Sequence, residues 1–145
     1  MLSKSIQLFL MSSFLIANSV QANWEVVGTP GFSAGEVYDT SLVIDHGIPY
    51  VAYIDAGNNA KATVMKYSNN NWVAVGIPGF SAGQVWYPSL ALDHGVPYIA
   101  YKDGKNSYKA TVMKYDNGNW VAVGMPGFST GAVQNPSLVL YHGVP

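Results

Sequence analysis

NWVAVGIPGFSAGQVWYPSLALDHGVPYIAYKDGKNSYKATVMKYDNG, residues 71–118, decides the fold, because near copies of it stand on both sides. Residues 23–70 read NWEVVGTPGFSAGEVYDTSLVIDHGIPYVAYIDAGNNAKATVMKYSNN, and residues 119–145 read NWVAVGMPGFSTGAVQNPSLVLYHGVP, which covers a little over half of a unit. Trp24, Trp72 and Trp120 fall 48 residues apart, with no insertion or deletion between them. Strict self-similarity at a fixed period is the mark of a repeat architecture in which each unit is one structural module.

Within the unit, four short β-rich runs are separated by turn residues, the pattern of an up-and-down antiparallel sheet. They cover residues 89–93, 97–103 and 109–115, and the run that opens at Trp72, or at its successor Trp120, and ends at the following Val-Gly. Each is too short for a helix. Asp93-His94-Gly95 joins the first two runs as a tight hairpin, in which Gly supplies the positive φ and His tolerates it. Asn117-Gly118 joins the third run to the Trp run in the same way, and DGKNSY, like its counterpart DAGNNA, forms a longer polar loop. PGFSAG after the Trp run is too irregular for a strand and too long for a hairpin. It suits a crossing link from the outer strand of one sheet to the inner strand of the next.

A four-stranded sheet with a long link to its neighbour, at a period in the forties, is the unit of a β-propeller. The expected class is therefore all-β: a partial β-propeller with two complete four-stranded antiparallel blades plus flanking strands. The strings SLALDHGVPYIAYKD, KATVMKYDNGNWVAVG and PGFSAG resemble the tandem blades of bacterial secreted propellers, related in architecture to kelch-type, fucose-lectin-like and sialidase-like proteins. The resemblance covers residues 23–145. It implies a scaffold on which enzymes, lectins and assembly platforms are all found. Propeller rings hold about 4 to 8 blades. Two complete blades are thus expected to be either a truncated piece of a longer propeller gene or a short subunit that self-associates to complete the ring.

Residues 1–22 read as a cleavable signal peptide, with Lys4 ahead of an apolar run from Ile6 to Ala17 and small residues near Ala22. Gln7, Ser12 and Ser13 interrupt that run. It is shorter than the roughly 20 apolar residues of a membrane span, so no membrane insertion is expected. The remaining domain, residues 23–145, is expected to be secreted or periplasmic. The chain has no Cys, so neither a disulfide nor a lipid-modified Cys is available to it. Lys and Arg together number seven, all of them Lys, against eight Asp and Glu. Nucleic acid and anionic membrane surfaces both demand a basic stripe, and none is present.

Three groups invite chemistry. His46, His94 and His142 recur at one position, each in its own turn, and no metal is expected of them. Asp45, Asp55, Asp93 and Asp103 are copies of two unit positions, whereas a glycosidase acid pair is asymmetric. They read as closers of local turns, and no catalytic residue is assigned. The constant Trp residues with Phe32, Phe80 and Phe128 read as packing between units.

A fourth feature is where the units disagree on a fixed frame: Tyr38-Asp39-Thr40, Trp86-Tyr87-Pro88 and Gln134-Asn135-Pro136. These lead into the inner strands and are expected in loops at a rim. Tyr38, Asp39, Trp86, Tyr87, Gln134 and Asn135 are accordingly the candidate ligand-binding residues, their rings suited to sugar faces and their amides and carboxylate to hydroxyls. The function expected is non-catalytic binding of a glycan or cell-surface ligand, without cofactor. The alternatives are a fragment of a propeller enzyme, such as a glycosidase or lyase, and a structural blade array. Sialidase chemistry is not expected, since the chain has no Arg to receive a sialate carboxylate.

Overall fold

Alternating β-branched and aromatic residues between turn residues give eight strands in a computed structural model that describes residues 23–145. The expected signal peptide, residues 1–22, lies outside the described residues. Strands β1 (Val37–Asp45), β2 (Ile48–Asp55), β3 (Lys61–Ser68) and β4 (Asn71–Ala74) form one antiparallel sheet in that order. Strands β5 (Val85–Asp93), β6 (Val96–Asp103), β7 (Lys109–Asp116) and β8 (Asn119–Ala122) form a second. The fold is all-β, the only helical pieces among the described residues being single 3₁₀ turns at Ala56–Asn58 and Gly104–Asn106. No described helix is long and apolar enough to cross a membrane.

The fourth strand of each sheet is the Trp run of the following sequence unit, so sheets and sequence units are out of phase by one strand. Tyr67 pairs with Trp72, and Tyr115 with Trp120. The β1–β2 and β5–β6 hairpins turn at His46-Gly47 and His94-Gly95, all four residues at positive φ, as their turn chemistry requires.

The two sheets pack face to face through alternate residues. Tyr50, Ala52 and Ile54 of β2, with Ala62 and Val64 of β3, meet Val85, Leu90, Ile99 and Tyr101 of the second sheet in one buried cluster. The opposite parity of β2, Val51 and Tyr53, lies on the other face and is the counterpart of Ile99 and Tyr101. Burying a side chain such as Ile99 contributes about 1.5–3 kcal/mol.

The link between the sheets, residues 75–84, lies on β3 and is held by main-chain bonds. Phe80 N–H donates to the Ala62 carbonyl at 3.1 Å, and Val85 N–H to the Ala60 carbonyl at 3.0 Å. The Ser81 hydroxyl accepts from Ala62 N–H at 3.0 Å and donates to the Gly83 carbonyl at 2.8 Å. Trp120 closes over this link from the second sheet. Its indole N–H donates to the Val75 carbonyl at 2.7 Å, and its ring stacks on Phe80 with centroids 4.2 Å apart. Gly76 passes beneath at φ +77°, where a Cβ would stand 2.8 Å from the Tyr115 ring.

The same construction flanks both sheets. Phe32 stacks on Trp72 at 4.5 Å, and the Trp72 indole donates to the Val27 carbonyl. After β8, Phe128 N–H donates to the Ala110 carbonyl and Val133 N–H to the Tyr108 carbonyl. Residues 123–145 thus repeat the link and the approach of a first strand, and carry one isolated bridge, Tyr141 with Val144.

Candidate functional site

Two of the three variable triplets are not in loops, which corrects the expectation from sequence; the third, Gln134-Asn135-Pro136, lies outside the strands in a bend, as expected. Tyr38 and Asp39 lie inside β1, and Trp86 and Tyr87 inside β5, each pair at a β-bulge. Asp39 and Thr40 together oppose Tyr53, and Tyr87 and Pro88 together oppose Tyr101, so one extra residue is accommodated in each first strand. Asp39, Tyr87 and Asn135 occupy the same position in successive units, with φ of +44°, +53° and +44°. A bulge of this kind re-aims the side chains beside it, and here it turns them toward the neighbouring unit. The Asp39 carboxylate accepts from Tyr87 N–H at 3.4 Å across the two sheets.

Around the second bulge the side chains converge. The Trp86 indole meets the edge of Tyr108, with centroids 5.3 Å apart. Lys102, paired with Trp86 across the β5–β6 ladder, holds its Nζ 5.2 Å from the Tyr108 ring centre and 5.9 Å from that of Tyr87. The Lys102 Nζ also donates to Gln134 Oε1 at 3.4 Å. Asp39, Trp86, Tyr87 and Gln134 are thereby brought into one neighbourhood. Tyr38 is turned to its own strand, its hydroxyl donating to Glu36 at 2.7 Å, a bond that raises the pKa of the Tyr38 phenol. Asn135 is exposed and adjoins the cluster only through Gln134.

Gly104 gives Trp86 its place. A Cβ on Gly104 would come within 2.8 Å of the indole Cζ3, so the ring lies directly on the backbone of the 3₁₀ turn. The indole and Tyr108 line an open groove with Gly83, Gln84 and Lys105.

Lys102 and Tyr108 are the members that sequence reading missed. Their counterparts in the first unit are Ile54 and Ala60, so both positions change together with Tyr38 to Trp86 and Asp39 to Tyr87. That joint change was the available signal, and it is spread over three segments that only the sheet brings together.

The repeated acids do other work. Asp55 and Asp103, both about 2% exposed, sit at the ends of β2 and β6. Asp103 accepts from the Thr111 hydroxyl at 2.7 Å, the Asn106 amide at 2.8 Å and Lys105 N–H at 2.9 Å. Asp55 accepts from Thr63 at 2.8 Å and Asn58 at 2.9 Å. The local turn expected of these acids is present, and each carboxylate also reaches a strand and, through its Thr, the link beyond. His46 and His94 contact Asp45 and Asp93 at 2.9 and 3.1 Å in exposed turns. Among the described residues no three acid or His side chains gather as a metal site. No family model matches the chain, and no characterised protein matches it in sequence.

Proposed function

We propose that this chain is an exported, non-catalytic binding module of β-propeller type that takes a glycan or a glycan-bearing surface ligand at the Trp86 cluster. The propeller reading is supported by two four-stranded antiparallel sheets that pack face to face, each joined to its neighbour by a link running from outer strand to inner strand. Export is supported by the composition of residues 1–22.

The observation that carries the ligand class is three aromatic rings, Trp86, Tyr87 and Tyr108, grouped around one Lys102 ammonium and the Gln134 amide. Rings offer faces to the C–H side of a pyranose, while ammonium, amide and carboxylate bond its hydroxyls. The arrangement is unrepeated, since the first unit has Ile54 and Ala60 where the second has Lys102 and Tyr108. Specificity of this kind belongs to a site and not to the scaffold.

A glycan array followed by titration calorimetry tests the reading. A sugar is expected to bind, and Trp86→Ala is expected to weaken it at least about tenfold, which corresponds to about 1.4 kcal/mol. Binding that Trp86→Ala and Lys102→Met both leave untouched would remove the site.

A further inference from the structure

The described chain carries, at its two ends, the two halves of an interface whose closed form lies in its middle. Between the sheets, Leu90, Ile99, Tyr101 and Trp120 press against Ala52, Ala62 and Val64. Forty-eight residues earlier, Leu42, Val51, Tyr53 and Trp72 line an open groove of about 390 Å³ on the outer face of the first sheet. Forty-eight residues later than the receiving set, Ala100, Ala110 and Val112 line a groove of about 350 Å³ on the outer face of the second. No charged side chain lines either groove. Leu42 is 62% exposed where its counterpart Leu90 is 4% exposed.

We propose that a second copy of this chain docks head to tail, its first sheet seating on the outer face of the second sheet as β5–β8 seats on β1–β4. The complementarity needs no invention, because the same residues already fit one another inside the chain. Residues 124–145 hold part of the receiving face, with Leu138 N–H donating to Ser89 Oγ at 3.0 Å as Leu90 N–H does to Ser41 Oγ. They bring the link and the first-strand approach, without the paired strands that supply Ile99, Tyr101 and Trp120. Phe128 is consequently 58% exposed, with no indole to stack on.

Residues 28–49 of the second copy carry the same pattern backed by a complete sheet. They displace 124–145 and offer the same donors to Ser89 Oγ, Ala110 O and Tyr108 O. This is an exchange of identical elements, a low-cost route to assembly. The contact is heterologous, so it closes into a ring when the rotation permits. Two copies of residues 23–145 give four sheets and three give six, both within the range of about 4 to 8 that propeller rings adopt. The inference does not rest on the ligand reading, but it alters that site: with 124–145 displaced, Lys102 loses Gln134 and Tyr38 of the second copy takes the Gln134 position.

The test is the mass in solution of protein expressed from the full 145-residue sequence, by size-exclusion chromatography with light scattering over a range of concentrations. A discrete assembly of two or three chains is expected. Leu42→Glu, at a position exposed in the single chain, is expected to return the single-chain mass with the β circular dichroism unchanged. Leu138→Ser, which loosens the displaced tail, is expected to lower the concentration of half-assembly at least about fivefold. A single chain at every concentration, a polydisperse aggregate, an assembly that Leu42→Glu leaves intact, or one that Leu138→Ser weakens would each overturn the proposal.

Discussion

The Thr111 hydroxyl donates to the buried Asp103 carboxylate at 2.7 Å while accepting from Gly127 N–H at 2.8 Å, so one side chain ties the end of β6 to the link beyond β8. Thr63 repeats this between Asp55 and Gly79. Removing one member leaves the others buried without a partner, which costs more than the bond itself contributes.

Asp55→Ala and Asp103→Ala are therefore expected to destabilise the protein by about 2–4 kcal/mol each, and Thr63→Val by about 1–3 kcal/mol. Urea titration followed by circular dichroism measures this. Little change in midpoint on Asp55→Ala would mean that water replaces the network.

The stacks of Phe on Trp should be graded by position. Phe80→Ala opens the interface between the sheets and is expected to cost about 3 kcal/mol, the lower end for a core aromatic. In the single-chain species, Phe128→Ala removes a ring with no stacking partner and is expected to cost under about 1 kcal/mol. Thermal unfolding of both variants in the Leu42→Glu background checks the order.

Gly104→Ala should separate the site from the scaffold. The added methyl would stand 2.8 Å from the Trp86 indole and 3.0 Å from the Gln84 carbonyl, while the Gly104 backbone is not at positive φ. Ligand affinity is expected to fall at least about fivefold with the unfolding free energy lowered by no more than about 1–2 kcal/mol, read by calorimetry and urea titration.

Alkali should unfold the protein through its buried phenols. Burial, with the nearby Asp55 carboxylate adding to it, pushes the Tyr53 hydroxyl up to about 12 from 10.0. Burial and Asp103 raise Tyr101 still further. Their hydroxyls donate only to Met65 and Met113 sulfurs at 3.2 and 3.1 Å, weak acceptors for a buried group. Above pH 10 the unfolded chain releases these protons while the folded chain keeps them. The stability is thus complete below about pH 10 and falls as pH rises toward 12. Tyr53→Phe with Tyr101→Phe is expected to flatten that fall in pH-dependent urea titrations.

Periodicity made the repeat, the hairpins at His94-Gly95 and the place of each Trp run legible, because these depend on neighbours in sequence. The start of β5 was not legible. Reading Ser89 as its first residue follows from Pro88, which looks like a stop, yet the bulge lets Tyr87 and Pro88 share one opposite residue and carries the strand back to Val85. The same bulge explains why Trp86 and Tyr87 were expected in a loop and lie in a sheet. Lys102 and Tyr108 joined the candidate site only through cross-strand register, which composition does not encode. Asp55 and Asp103 look like turn residues because Asn58 and Asn106 stand three positions on, whereas their Thr partners lie eight residues away.

The one-strand offset between sheet and sequence unit bears on how such a chain can lengthen. Each boundary is stitched, since the Trp closing one sheet grips the link leaving the sheet before it. Recombination between misaligned copies of the gene, in steps of 48 codons, would add or delete a whole sheet together with its own clasp. Every junction in the altered protein would then be one that already folds, whichever point in the unit the crossover used.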